Sequence, residues 1–376
     1  MKVAYVTMTE ILGPVNSGGV QCCKRNINLL QSAFGAENVY ICAITGKKEY
    51  LEKASGNICV FYSTRKKVKI LKNALFNRLE YCRATEDLVA KKIVDLDCAV
   101  VFFDFSRMGK LQAHLPKHIK QVLFMHNIEA DYIKNQARVH PLKFVLKRAF
   151  EINEMLAVKN ADVIISLNNR DADRLNERYG CTADLIIPIT FEDSFTEPIL
   201  AKQPHLKELL HLLFVGSLFA PNEHGVKWFI NEVMPYVNAD FTVVGRDFEI
   251  VSDKLSRKNV KIIGTVDDLT DYYHNADAVV SPILFGDGMK VKTAEALMYG
   301  KPIFATDEAL EGYEVAGQKN IYRCNTAEEF IEAINTYVGK TPYASFDEDI
   351  RSLFLKKYHT PSYVPIIYDI ITAGEV

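Results

Sequence analysis

The sequence predicts an α/β protein made of two doubly wound, parallel-sheet domains in tandem. Short β-branched runs alternate with longer helical patterns almost from end to end. Those runs are apolar at nearly every position, as strands covered by helices on both faces must be. One stretch without periodicity, Pro188–Pro204, interrupts the rhythm with three prolines (Pro188, Pro198, Pro204) before it begins again. The length of 376 residues accommodates two domains, each large enough for its own core. The expected division is a first domain over 1–190, a linker over 191–204 and a second domain over 205–357. A tail from about 358 to 376 is free to pack back on the first domain.

In the first domain, strands are expected at Lys2–Thr7, Val39–Ile44, Ile58–Phe61, Ala99–Phe103, Gln121–Met125, Val163–Ser166 and Leu185–Pro188. Helical spacing of apolar residues places helices at Val20–Phe34, Lys72–Val94 and Pro141–Lys159. In the second, strands fall at His211–Val215, Asp240–Val244, Val260–Ile263, Ala278–Ser281, Pro302–Ala305 and Ile321–Arg323. Helices lie between them at Gly225–Val237, Leu269–Asn275, Val291–Tyr299 and Ala327–Val338, and Asp347–Tyr358 and Tyr363–Thr372 follow. Doubly wound sheets bind ligands beyond the carboxyl ends of their strands, so function is sought on the loops that follow strands.

Composition narrows the partners. Lys plus Arg is 45 and Asp plus Glu is 47, a net charge of 45 − 47 = −2, which gives no whole-protein case for nucleic acid. The eight cysteines are scattered, with no CxxC and no Cys/His spacing that would hold zinc. Cys42, Cys59, Cys82 and Cys98 fall in apolar or helix-like runs and are expected as reduced core residues. No leader-like segment precedes the first strand and no apolar run approaches bilayer length, so a cytoplasmic location is expected.

Ser281–Glu314 is the most informative segment. A strand ends at Ser281, a glycine-rich loop Phe285–Met289 follows, and a helix opens near Val291. Gly286 and Gly288 allow a ligand to come close to the backbone. The helix N-terminus offers unpaired N–H groups to phosphate, and Lys290 and Lys292 add positive charge there. Asp287 and Glu295 supply carboxylates for sugar or ribose hydroxyls. Taken singly, the lysines and Arg246 read as solvated surface charges and Glu295 as a helix cap or pair. The ordered set on one strand–loop–helix unit favours a nucleotide-sugar site.

That stretch resembles the signature of the GT4-type retaining glycosyltransferases, which have the GT-B fold of two Rossmann-like domains facing across a cleft. The pattern is an acidic residue, seven residues, Glu-Ala, and then Gly-x-Pro. Here it stands as Asp287, GMKVKTA, Glu295-Ala296 and Gly300-Lys301-Pro302, with Asp where the family usually has Glu. LLFVGSLFAPNEHGVKWFINEVMP, which carries Gly216, FTVVGRD, and VKIIGTVDDLTDYYHNADAVVSP match other family segments in order. The likeness covers most of residues 211–314. It implies that Glu295 holds the ribose, Asp287 the donor sugar, and Lys292 with Arg246 the diphosphate. Backbone near Gly264–Val266 faces the base, and Gly216, Gly286, Gly288, Met289 and Lys290 line the donor. Many relatives carry a lysine in the loop after the first strand of this domain, where Phe219–His224 here has Pro221 and Asn222.

In the first domain, Gly18-Gly19 opens an amphipathic helix, but there is no GxGxxG and no acidic residue ends the second strand, so a dehydrogenase reading is weak. The resemblance puts that turn near the donor phosphate or the acceptor. It also implies that His126, after the strand Gln121–Met125, faces the donor sugar; a loop histidine satisfied by nearby backbone is the alternative. Glu129 either joins it or caps the next helix. From Tyr62 to Lys92 there are nine basic residues against three acidic, with Leu71, Leu75 and Leu79 at helical spacing. This reads either as a membrane-facing helix or as an ordinary helix with a core stripe and a basic outer face. A second basic stretch, Lys134–Arg148, points the same way.

The function the resemblance implies is metal-independent transfer of a sugar from a nucleotide sugar, such as a UDP- or GDP-sugar, with retention of configuration. The acceptor is a glycan or a lipid-linked glycan, as in polysaccharide biosynthesis, with peripheral contact at the inner membrane surface. No cofactor is expected. Asp95-Leu96-Asp97 precedes a strand rather than following one and does not read as a metal motif. A nucleotide-sugar 2-epimerase and a non-catalytic binding protein on the same fold are the alternatives.

Overall fold

The computed structural model describes all residues except 15–17, 140–143, 197–208, 287–288, 339–344 and 374–376. The chain divides into two compact units, Met1–Thr190 with Thr360–Val376, and Phe191–His359. Of the expected linker, 197–204 lies outside the described residues, and Phe191 belongs with the second unit, its N–H donating to the Tyr358 carbonyl.

The first unit holds seven strands: β1 (Val3–Thr7), β2 (Val39–Thr45), β3 (Ile58–Tyr62), β4 (Val100–Asp104), β5 (Lys120–Met125), β6 (Val163–Ser166) and β7 (Leu185–Ile186). All pair in parallel, in the order β3-β2-β1-β4-β5-β6-β7. Successive side chains on a strand point to opposite faces, and the two faces feed two cores. Val3, Tyr5, Val100, Phe102, Val122 and Phe124 enter one, together with Ile367 and Ile371 from the C-terminal helix. Ala4, Val6, Val101, Phe103, Leu123 and Met125 enter the other. Burial on both faces is the physical reason these strands read as continuous apolar runs.

The second unit holds β8 (Leu210–Val215), β9 (Ala239–Val244), β10 (Val260–Ile263), β11 (Ala278–Ser281), β12 (Ile303–Ala305) and β13 (Ile321–Arg323). They form a parallel sheet in the order β10-β9-β8-β11-β12-β13 around one contiguous core. Each sheet therefore reverses its strand order once, at β1/β4 and at β8/β11. Ligands in such sheets bind beyond the carboxyl ends at that reversal.

Three expectations are corrected. The single helix Lys72–Val94 is two, Lys67–Leu75 and Arg83–Asp95. The chain breaks at Asn77, whose φ of 54° is left-handed, and Leu79 and Tyr81 then turn inward and are buried. Leu71 and Leu75 are consequently exposed rather than part of a core stripe. The helix expected at Gly225–Val237 runs over Ala220–Glu232. Pro221 is favourable in its first turn, whereas Pro235 cannot extend it. Cys82 is exposed, at the N-cap position of Arg83–Asp95; all eight cysteines are free. Among the described residues, no helix is long and apolar enough to cross a membrane.

Candidate active site

In the second unit the site grows from the ends of β8 and β11, neighbours at the strand reversal. Gly216 follows β8 and Gly245 follows β9, and their backbones nearly touch. A Cβ on Gly245 would lie 1.8 Å from the Gly216 carbonyl oxygen, so no other residue fits there. After β11 the chain passes Gly286 and Met289 to the helix Val291–Met298, with Lys290 at its N-cap. Asp287 and Gly288 lie outside the described residues.

Lys292, on the first turn of that helix, is buried. Its ammonium donates to Asn222 Oδ1 and sits 4.7 Å from the centre of the Phe214 ring. The Asn222 amide in turn donates to the Ser217 carbonyl at 2.8 Å, which fixes the direction of its oxygen. Burial, and secondarily the charge of Lys290, push the Lys292 pKa down to about 7, against the opposing pull of Glu295. This ammonium is poorly solvated, with no carboxylate partner among the described contacts. Such a cation gains most from an incoming anion.

Glu295, one turn on, accepts a hydrogen bond from the Tyr273 hydroxyl at 2.9 Å. Tyr273 is itself clamped by stacking on Tyr299, with ring centres 4.5 Å apart. Burial raises the Glu295 pKa, while Tyr273 and Lys292 oppose the rise. Lys290 behaves differently, since its ammonium pairs with Glu308 at 2.6 Å and its carbonyl accepts from Tyr313. Met289 packs against Gly312, where a Cβ would lie 2.5 Å from Met289 Cγ. Both hold the loop in shape.

The remaining donor residues sit at other strand ends. Arg246 is exposed, its guanidinium 3.7 Å from the Asp247 carboxylate, and its carbonyl accepts from Leu218. Val266, beyond β10, packs against the core edge. Among the described residues, neither side chain bonds Lys292 or Glu295. No motif in the sequence marks Asn222 or Tyr273 as a site residue. Asn222 stood in view at the position where relatives carry lysine, but its role depends on the Ala220 helix start.

In the first unit, Gly18 and Gly19 form the first turn of the helix Gly18–Phe34, two residues earlier than expected. His126 follows β5, and Asp104 ends the adjacent β4. The imidazole Nε2 bonds Asp104 Oδ1 directly. Asp104 is fully buried, and its other oxygen accepts from the Tyr5 hydroxyl and, at 3.0 Å, from Asn26. Phe105 adopts the left-handed φ of 93°, unusual for a side chain of its size, and stacks on His126 with ring centres 3.7 Å apart. Burial disfavours the charged imidazole, yet the Cys22 thiol and the Asp104 carboxylate outweigh it and hold its pKa well above the usual histidine range. His126 is thus satisfied by a buried carboxylate, not by loop backbone.

Cys23, Asp104 and His126 present possible metal ligands within 4.8 Å of one another. Both Asp104 oxygens are already engaged by Tyr5, Asn26 and His126, so an ion would have to displace those bonds. Glu129 lies apart from this group in its bonding. It is buried against Arg107 at 3.1 Å, and Arg107 also bonds Glu80. The helix that opens at Glu129 is capped by Glu154, which accepts from the N–H of Glu129 at 2.6 Å and of Ala130 at 3.3 Å.

The strand reversal, the glycine contact and the buried Lys292 lie at the head of the second sheet, a setting whose chemistry suits an anion. Residues 210–339 match the family described as glycosyl transferases group 1. The structure also resembles solved proteins over nearly its whole length. Sucrose-phosphate synthase from Thermosynechococcus elongatus aligns with a TM-score of 0.67 at 12% identity, covering 98% of each chain. The lipopolysaccharide outer core galactosyltransferase WaaB aligns with 0.66 at 14% identity, covering 99% of each. Anabaena HepE, solved in complex with UDP, aligns with 0.66 at 14% identity, covering 99% of this chain and all of that one. At such identities the likeness fixes the fold, which is the two-domain GT-B fold. No curated protein sequence matches the chain.

Proposed function

We propose that this protein is a glycosyltransferase that moves a sugar from a nucleotide-sugar donor to a glycan or lipid-linked acceptor, without a metal and with retention of configuration. The observation that carries the reading is the buried Lys292 ammonium at the head of the helix Val291–Met298, beside the Tyr273-held Glu295. A leaving nucleoside diphosphate needs positive charge, and a cation already stripped of water supplies it without reorganisation. Glu295 accepts from ribose hydroxyls. Asp287 is assigned to the donor sugar by the family resemblance alone. Paired with Asp104, His126 is a cationic hydrogen-bond donor for a sugar hydroxyl. The match of residues 210–339 supports the transferase reading, and the resemblance to Anabaena HepE, solved with UDP, makes UDP the first nucleotide to try.

The test is thermal unfolding with UDP, GDP, ADP and their sugars, with and without EDTA. Ligand at about 100 times its Kd should stabilise by ~2.7 kcal/mol. The expected result is a shift with one nucleotide that persists in EDTA and is lost in Lys292→Met and Glu295→Ala. No shift with any nucleotide would remove the proposal. Tight binding without donor turnover in the presence of glycan acceptors would indicate a binding protein on the same fold.

A further inference from the structure

In the first sheet, Cys42 of β2 and Cys59 of β3 are direct partners in the parallel register. Both side chains point to the same face, where they join the core that holds Val89, Ile93 and Cys98. Paired strands lie about 4.8 Å apart, within the roughly 4.4–6.8 Å between Cα atoms that a disulfide spans. Among the described residues, no other two cysteines face each other on paired strands. β3 ends the sheet and pairs with β2 alone, so it is free to take up the small shift that a bond between the sulfurs needs.

The two thiols are unequal. Cys42 is fully buried, whereas Cys59 is half-buried at the sheet edge, which leaves a reagent one sulfur to reach. The Cys42 thiol donates to Cys59 and so holds the Cys59 pKa below the ordinary thiol range; partial burial opposes this and the Lys92 ammonium adds to it. The same bond, together with burial, raises that of Cys42. A reachable, more acidic thiol beside a buried, less acidic one is the order that attack followed by internal closure requires. We propose that Cys42 and Cys59 form a redox-active dithiol, oxidised by low-molecular-weight disulfides of the glutathione type to a bond between β2 and β3. The Cys59 thiolate attacks one sulfur of the small disulfide, forming a mixed disulfide and releasing one small thiolate. Cys42 then attacks the Cys59 sulfur, the bond between the two cysteines forms, and the second small thiol leaves with the Cys42 proton. Two electrons pass from the cysteine pair to the small disulfide. The inference does not rest on the transferase reading, because the exchange involves no sugar donor.

The experiment equilibrates the full chain with mixtures of oxidised and reduced glutathione, quenches with N-ethylmaleimide and maps the peptides by mass spectrometry without reduction. A Cys42–Cys59 link is expected in oxidising mixtures and should be reversed by dithiothreitol. The oxidised chain should unfold at a higher Tm, since closing residues 42–59 restricts the unfolded chain. Cys42→Ala should stop at glutathione on Cys59, and Cys59→Ala should leave Cys42 unmodified. In the reduced parent, iodoacetamide should label Cys59 on the order of tenfold faster than Cys42 or Cys98, whose pKa values are raised. Exposed Cys82 reports that the reagent is active. Glutathione on Cys82 without a Cys42–Cys59 link in the folded parent would overturn the proposal, as would a link from Cys59 to Cys98. The link is read in the parent without any substitution, so a variant that fails to fold leaves the test intact.

Discussion

A lysine ammonium buried over the Phe214 ring loses hydration that one amide oxygen does not replace, and with the repulsion of Lys290 its pKa falls to about 7. The unfolded chain then holds a proton that the folded chain has lost between about 7 and the ordinary lysine value near ~10.4, so this group makes stability rise with pH across that window. A bound diphosphate restores the ammonium. Nucleotide binding near pH 8 is therefore expected to take up about one proton, and affinity should weaken as pH climbs above 7. Calorimetry in buffers of different ionisation enthalpy reads the uptake; nucleotide binding near pH 8 without proton uptake would deny the lowered Lys292 value. Tyr273→Phe frees Glu295 and should weaken nucleotide binding by about 1 kcal/mol, or roughly fivefold, with the fold unchanged. His126 has the opposite sign. Its raised pKa contributes stability that is complete below the unfolded value of about 6.5 and lost as pH rises through the folded value. Asp104→Asn should accordingly cost more near pH 6 than near pH 9, about 3 kcal/mol at the lower pH by urea denaturation. A pH-independent cost would deny the ion pair. Of these residues Lys292, Glu295 and His126 could be picked from the chain because each follows a strand or opens a helix. Asp104 could not, because it looks like the last residue of an apolar strand until β4 and β5 are paired.

At the scale of elements, the site depends on how closely two segments approach. The helix Ala220–Glu232 lies so near the end of β11 that a Cβ on Gly225 would come 2.0 Å from the Pro282 carbonyl oxygen. Gly225→Ala should push the helix away, cost about 2 kcal/mol and weaken nucleotide binding by withdrawing Asn222 from Lys292. An unaltered midpoint in denaturant would mean that the loop yields without cost. Strand positions were legible because burial on both faces leaves an apolar run at each. Helix limits were less so. Leu71, Leu75 and Leu79 keep helical spacing across Asn77, and periodicity carries no mark of the left-handed residue that breaks it. Which face of Lys67–Leu75 is buried was likewise open in the sequence, since both faces carry apolar residues.

At the scale of the molecule, the chain returns to its first unit after completing the second. Tyr363, Ile367 and Ile371 bury in the core that Tyr5 and Phe102 share, and the Lys120 ammonium bonds the carbonyls of Ile370, Ile371 and Ala373. Ending the chain at His359 removes three large apolar side chains, at ~1.5–3 kcal/mol each, and should destabilise the first unit by about 5 kcal/mol. The second unit's core contains none of them, so nucleotide-induced stabilisation of that unit should persist in the truncated chain. Its loss would show that the two units unfold as one. Local periodicity and ordered motifs along the chain suffice for the α/β class, the tandem of two sheets, nearly every strand and the Lys292/Glu295 helix. They do not suffice to show that Asn222 meets Lys292, that Tyr273 holds Glu295, that Asp104 pairs with His126 or that Leu75 and Phe76 face solvent. Those pairings join residues 22 to 70 positions apart, or turn on which face of a helix finds a neighbour, and packing sets both.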